Sequence, residues 1–159
     1  MKSKIQKIMV IFALIMILAV VSISGCINNS TNQTNYNQTD SAGHFENQYV
    51  KFNLSTGITA KGASNDTGFD IILFKNGKDI GEISSEVTPP QALSAIDGSN
   101  ITFRGKKAIE ENDDFGSHLY IIIRDDTQGN SIGIRIELDP GYSEDYGVIK
   151  NSFVIKKTL

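Results

Sequence analysis

The sequence predicts an α+β domain, an antiparallel sheet of about six or seven strands with two short helices, preceded by a signal or anchor helix and a disordered linker. Three observations support this prediction. Short segments after residue 44 alternate apolar and polar residues, as half-buried strands do. Turn sequences such as Asn76-Gly77 separate those segments. The first 44 residues differ from the remainder, being apolar at first and then rich in Asn, Thr and Gln.

Individual strands are predicted from the two-residue period. Val50, Phe52 and Leu54 fall on one face of the first strand. Asn-Gly at 76–77 predicts a hairpin because both residues tolerate positive φ. Apolar residues on both faces of segment 118–124 indicate a central strand with cover on both sides. The predicted strands are 46–54, a short one at Ile58 and Ala60, 69–74, 79–84, two pieces of 101–111 around Arg104-Gly105, 118–124, 131–138 and 153–155.

Two short helices are predicted between these strands. Thr-Pro-Pro at 88–90 can open a helix, with Thr88 as its cap and proline in the first turn. The apolar face of this helix would consist of Ala92, Leu93 and Ile96. Later in the chain, large apolar and aromatic residues at i, i+4 and i+7 form one stripe and predict a second helix of about two turns. That stripe consists of Tyr142, Tyr146 and Ile149.

Residues 1–25 are predicted to be a signal peptide with a lipobox. Lysines precede an apolar run at 8–21, and small residues lead from that run to Cys26. The lipobox-like residues are Ile23, Ser24 and Gly25. The thiol of Cys26 would carry a thioether-linked diacylglyceryl group, and two acyl chains give stable anchoring. We therefore expect a lipoprotein on the extracytoplasmic face of the cell membrane.

Two other fates of the N-terminal segment stay open. Its apolar run reaches 20 residues when extended through Ile27, which is the length of an uncleaved transmembrane helix. Cleavage near Gln6 would resemble the processing of archaeal pilin-like precursors, although the usual glutamate inside the apolar run is missing.

Residues 26–44 are predicted to be a disordered tether, rich in Asn and Thr and nearly free of apolar side chains. The tether and the domain at 45–159 contain N-x-[ST] sequons, which become glycosylation sites if the chain is exported. The candidate glycosylation sites are Asn28, Asn29, Asn32, Asn37, Asn53, Asn65 and Asn100. The alternative is an unmodified polar linker.

The charge balance excludes one class of partner. Lysines in the signal segment take three of the 15 basic residues, so the mature chain has 12 basic and 18 acidic residues. A net charge of about −6 argues against nucleic acid, whose phosphates need a basic patch. The single cysteine precludes an internal disulfide.

Catalytic and cofactor motifs are missing from the sequence, so we predict no catalytic residue and no cofactor. His44 and His118 lack the spacing of metal ligands, and His118 is interpreted as a rim residue of a strand. Acidic turns are weak calcium candidates, provided that they lie at one end of the sheet. These candidates are Glu110, Asp113, Asp114, Asp125 and Asp126; Glu111 belongs to the same acidic cluster. Tyr120, Tyr142 and Tyr146 either line an aromatic groove or pack a helix on the sheet.

The domain resembles the PsbP-like domains of small archaeal, especially methanogen, surface lipoproteins. The resemblance covers roughly residues 45–157 and lies in the strand ending near Phe52, the later hairpins and a short helix that runs into Ile149-Lys150-Asn151-Ser152-Phe153. It implies an α-β-α sandwich with an antiparallel sheet. It also implies a binding or assembly role without catalytic residues.

The sequence therefore predicts a membrane-anchored extracytoplasmic lipoprotein, a non-enzymatic binding or assembly module for an unknown protein or small molecule. We expect the protein to contact the membrane through its lipid anchor. The alternative is an extracytoplasmic hydrolase or a solute-capture accessory, which needs a concave pocket with converging polar groups.

Overall fold

Eleven strands and two helices make up the described residues, 35–38 and 43–159, of the computed structural model. The strands are β1 (Asn35–Gln38), β2 (His44–Glu46), β3 (Val50–Asn53), β4 (Ile58–Ser64), β5 (Phe69–Lys75), β6 (Lys78–Thr88), β7 (Ser99–Phe103), β8 (Lys106–Asp113), β9 (Gly116–Asp125), β10 (Ser131–Leu138) and β11 (Val154–Ile155). The helices are α1 (Pro90–Ser94) and α2 (Ser143–Ser152).

The strands form two antiparallel sheets. The large sheet has eight strands in the order β1-β4-β5-β6-β10-β9-β8-β7, and the small sheet has the order β11-β3-β2. The predicted α+β class with an antiparallel sheet and two helices is confirmed. The large sheet has seven strands from the predicted domain, as expected, whereas its edge strand β1 and the separate three-stranded sheet were not predicted. The first predicted strand, 46–54, is confirmed only over β3. Glu46 ends a separate strand, β2, because the Asn47 carboxamide oxygen accepts hydrogen bonds from the backbone N–H of Tyr49 and Val50 and turns the chain.

Strand β1 lies within the segment that was predicted to be a disordered tether. Its backbone pairs with the edge of β4, with Asn35 opposite Ser64 and Gln38 opposite Lys61. The prediction of disorder for 26–44 therefore does not hold for residues 35–38. Backbone pairing needs no apolar side chain, which is why composition gave no sign of this strand.

The predicted hairpin turn at Asn76-Gly77 is confirmed, and Arg104-Gly105, between two predicted strand pieces, is a turn of the same kind. Asn76 and Gly77 have φ values of 54° and 78°, and Arg104 and Gly105 have 50° and 76°. Positive φ at both central residues matches the right-handed twist of the flanking strands. These turns fix the register of β5 with β6 and of β7 with β8.

One face of the large sheet is covered by the small sheet and by α2. Phe45 stacks on Phe52 at a ring-centroid distance of 5.3 Å, and Phe52 stacks on Phe153 at 5.7 Å. Tyr146 and Ile149 of α2 are buried, as the second predicted helix requires. We call this face the core face. Its other main residues are Ile71, Ile83, Leu119, Ile121, Ile134, Ile136 and Leu138.

The opposite side of the large sheet is called the outer face. Residues directly opposite each other on paired strands share a face, and Ser84 of β6, Arg135 of β10, Tyr120 of β9 and Ile109 of β8 form one such row. Strands β6 and β7 are separated by β10, β9 and β8. The connection from β6 to β7 carries α1 across the outer face.

Candidate functional site

An open cavity of about 370 Å³ lies between α1 and the outer face, over strands β6, β10, β9 and β8. This volume falls near the lower end of the range for small-molecule sites, about 300–1,000 Å³. The polar residues that line it are Glu86, Thr88, Glu111, His118, Tyr120 and Arg135. The apolar wall includes Val87, Pro89, Ala92, Ile96 and Ile109. We call it the α1 cavity.

Helix α1 forms the roof of the cavity without packing tightly on the sheet. It begins at Pro90, because the fixed φ of proline suits the first turn, where its missing N–H is not needed. The predicted cap is wrong, since Pro89 precedes the helix and no side chain caps it. None of the five residues of α1 is buried. Two residues of the predicted apolar face line the cavity instead: Ala92 in the helix and Ile96 beyond its end.

Tyr120 forms the floor of the cavity. Its side chain is buried on the outer face, and its hydroxyl donates a hydrogen bond to the carbonyl of Ser131 at 3.1 Å. A Cβ at Gly133 would lie 2.7 Å from Cζ of this ring and 2.7 Å from the carbonyl oxygen of Ile121. Gly133 therefore provides the space for the ring. Burial raises the pKa of Tyr120. β9 therefore has buried side chains on both of its faces, as predicted.

Arg135 lies at the centre of an acidic network on the outer face. Its Nη2 contacts Oε1 of Glu82 at 2.9 Å, and its Nη1 contacts Oε2 of Glu137 at 3.1 Å. Its Nε lies 3.7 Å from Oε2 of Glu86 and has no hydrogen-bond partner among the described residues. Three carboxylates thus surround one guanidinium, so this region has a net negative charge.

Burial and ion pairing set the pKa values of this network. Burial works to raise the pKa of Glu82, but hydrogen bonds from Ser84 and Arg135 outweigh it and the pKa is lowered. Burial works to lower the pKa of Arg135, but the neighbouring glutamates outweigh it and the pKa is raised. Burial and then the charge of Glu82 raise the pKa of Asp70 on the adjacent strand β5.

Glu111 lies at the β8 end of the cavity and differs from the other glutamates of this face. It is half-buried, and its carboxylate has no hydrogen bond or ion pair with any residue in 43–159. His118 lies directly opposite it on β9. The Nδ1 atom of His118 is 3.8 Å from Oε2 of Glu137. His118 on β9 therefore lies between Glu111 on β8 and Glu137 on β10.

The calcium candidates do not come together. Asp113 and Asp114 precede β9, whereas Asp125 is its last residue and Asp126 follows it, so the length of β9 separates the two pairs. Asp113 and Asp126 accept backbone hydrogen bonds within their own turns. Across the described part of the chain, no three His, Cys, Asp or Glu residues are placed to hold a metal ion. The condition for the calcium hypothesis is therefore not met.

Glu110 is bound to α2 on the core face. Its carboxylate accepts hydrogen bonds from Nζ of Lys150 and from the hydroxyl of Tyr146, the latter at 2.9 Å. Burial works to raise the pKa of Glu110, but these two hydrogen bonds outweigh it and the pKa is lowered. Burial, followed by the Glu110 carboxylate, raises the pKa of Tyr146.

The three tyrosines do not form one groove. Tyr146 packs α2 against the core face, while Tyr120 lies on the outer face of the same sheet. Tyr142 lies next to the lysines of the β5–β6 hairpin, with Nζ of Lys75 5.5 Å from its ring centroid. The helix-packing alternative is therefore correct for Tyr146.

The residues predicted for lipidation and most tether sequons lie outside the described residues. These are Ile23, Ser24, Gly25, Cys26, Asn28, Asn29 and Asn32. Asn37 belongs to β1, and Asn53, Asn65 and Asn100 are exposed on the domain. The Asn65 side-chain oxygen accepts a hydrogen bond from the hydroxyl of Thr67 at 2.8 Å, within its own sequon.

Comparisons with protein-family models, with curated proteins and with solved structures find no match for this chain. Neither helix of residues 43–159 has the length and apolar character that a membrane crossing requires. Glu86, Glu111 and Arg135 were not predicted as site residues. Pairing β9 with β10 from the sequence alone would have placed Arg135 opposite Tyr120. No local sequence pattern, however, indicates that α1 crosses the sheet above these two residues.

Proposed function

We propose that the protein is a membrane-tethered, extracytoplasmic binding module that captures a small solute in the α1 cavity. The observation that carries this proposal is an open cavity with an apolar wall and polar residues beneath a helix that buries none of its own residues. A helix that only packed the domain would bury an apolar face. The sequence left open a binding or assembly module and, as the alternative, a hydrolase or solute-capture accessory; among these the cavity supports solute capture.

The tether is the second part of the proposal. It is supported by Cys26 behind a lipobox-like sequence and a positively charged, apolar segment. Eight residues separate Cys26 from Asn35 of β1. A fully extended chain of that length spans at most about 30 Å, so the domain would stay close to the lipid surface.

The PsbP-like assignment is retained as a proposal about the fold. It is supported by α1 and α2, which lie on opposite faces of an antiparallel sheet, as in an α-β-α sandwich. Its binding-module character agrees with solute capture.

Metabolic labelling with a lipid precursor tests the tether. The wild-type chain should take up the label, and Cys26→Ser should lose it completely because no other thiol exists. Ser24→Ala is the matched control, since it keeps a small side chain before the cleavage point and should keep the label. Label that persists in Cys26→Ser would overturn the lipid anchor. The mass of the mature N-terminus would then distinguish an uncleaved helix from another modification.

A further inference from the structure

The α1 cavity has a polar end and an apolar wall. Its polar end is formed by Glu111 on β8, whose half-buried carboxylate is unpaired within residues 43–159. A carboxylate held in this state is a favourable position for a cation that arrives with a ligand.

The charges around Glu111 also favour a positively charged ligand. Next to Glu111 in the register are His118 and then Glu137, and Glu86 lines the opposite end of the cavity. The guanidinium of Arg135 is already engaged by Glu82 and Glu137. Positive charge on a ligand is therefore complementary to this site, whereas a negative charge would be repelled.

The wall and the position of the cavity limit the kind of ligand. Ile109 lies two residues from Glu111 on the same face of β8, and Ile96 lines the same cavity. Polypeptide strands usually bind at a free sheet edge. The cavity lies instead over four inner strands, while the edges of the large sheet are β1 and β7. Size and position thus favour a small molecule.

We infer that the α1 cavity binds a small organic cation, with an ammonium group paired to Glu111 and an apolar body along Ile96 and Ile109. This inference rests on the proposed solute-capture function and names the chemical class of the solute. His118 and Tyr120 form the floor beneath the ligand.

A nuclear magnetic resonance titration of the full chain in non-ionic detergent micelles tests the inference with three probes of equal length. Hexylammonium, hexanol and hexanoate share an apolar body and differ in charge. Hexylammonium should bind with a dissociation constant of about 1 mM, as expected for a ligand of so few atoms. It should shift amides at Ile96, Ile109 and His118, and hexanoate should shift none of them.

Glu111→Gln should weaken hexylammonium binding at least tenfold while the chain stays folded, because its carboxylate has no partner to lose. Glu144→Gln is the matched control; it removes the same charge from the exposed start of α2 and should leave the affinity within twofold. Unchanged affinity in Glu111→Gln would overturn the inference.

The three probes separate this inference from the proposed function. Binding of hexanol or hexanoate at the same amides, with no preference for hexylammonium, would overturn the cationic ligand and leave the cavity as a solute site. No shift with any probe would overturn both. Tighter binding of the peptide acetyl-Leu-Lys-Leu-amide than of hexylammonium would overturn the assignment to a small solute, and would indicate a lysine from a polypeptide.

Discussion

Glu110 and Glu111 are neighbours in strand β8, and their side chains lie on opposite faces of the large sheet. Glu110 on the core face accepts hydrogen bonds from Lys150 and Tyr146 of α2. Glu111 on the outer face lines the α1 cavity and has no such partner among residues 43–159. Two identical side chains, one position apart, thus have different physical roles.

The comparison separates structural charge from charge that is available to a ligand. On the core face, α2 brings two hydrogen-bond donors to the partly buried carboxylate of Glu110, which stabilises the packing of the helix on the sheet. On the outer face, α1 crosses the sheet and leaves space beneath it. The core face should therefore respond to substitution mainly through stability, and the outer face mainly through binding.

Removing an aromatic ring from the core face should have the largest effect. Phe153 is fully buried and stacks on Phe52. Phe153→Ala should lower the free energy of unfolding by about 3–5 kcal/mol, through lost burial and a residual cavity. Urea denaturation measures this change. Ile72→Ala is the outer-face control; Ile72 lies opposite Glu82 on the outer face and is 36% exposed, so its truncation should cost less than about 1 kcal/mol. Equal losses would contradict the distinction between the two faces.

Gly133→Ala tests a tightly packed place on the outer face. The new Cβ would meet the Tyr120 ring and the backbone oxygen of Ile121, and the backbone has no room to yield. Thermal denaturation should show a loss of about 1–3 kcal/mol. Gly147→Ala in α2 is the control, because nothing lies within 4 Å of the position that its new Cβ would take, and helix propensity should raise stability by about 0.5–1 kcal/mol. A neutral Gly133→Ala would mean that the floor of the cavity is loosely packed.

The two neighbouring glutamates provide the closest matched pair. Glu110→Gln should lower the free energy of unfolding by about 1–2 kcal/mol, because charge-assisted hydrogen bonds to Lys150 and Tyr146 are weakened. Glu111→Gln should change it by less than about 0.5 kcal/mol. Chemical denaturation of both variants at neutral pH gives the comparison. Similar losses in the two variants would show that Glu111 has a structural partner.

The contribution of Glu110 to stability should decrease when the pH is lowered. Its pKa is lowered in the folded protein, so its contribution is complete above the unfolded glutamate pKa of about 4.3 and is lost as pH falls through the lowered value. The difference in unfolding free energy between wild type and Glu110→Gln should therefore shrink as the solution is acidified. A difference that grows on acidification would contradict the lowered pKa.

A local sequence signal predicted the hairpin at Asn76-Gly77 because its turn needs particular backbone angles. Asn76-Gly77 and Arg104-Gly105 both adopt positive φ, and the alternation in β9 and β10 gave both strands and their pairing. The break between β2 and β3 was missed, since it depends on a side-chain hydrogen bond of Asn47.

The candidate site was not predictable in the same way. Ala108 and Ile109 are both apolar and lie on opposite faces of β8, so the pattern did not show which face Glu110 or Glu111 occupies. The cavity also depends on the order of strands in the sheet, because α1 crosses β10, β9 and β8 only when β7 is at the far edge. That order is set by tertiary packing.

The most direct test of the two-face account is the stabilisation of wild type, Glu110→Gln and Glu111→Gln by hexylammonium. A ligand that binds only the folded state raises the free energy of unfolding, by about 1.4 kcal/mol at tenfold excess over the dissociation constant. The account predicts this increase for wild type and for Glu110→Gln, in which the cavity is intact, and at most about 0.4 kcal/mol at the same ligand concentration for Glu111→Gln. An equal increase in all three proteins, or none in wild type, would contradict it.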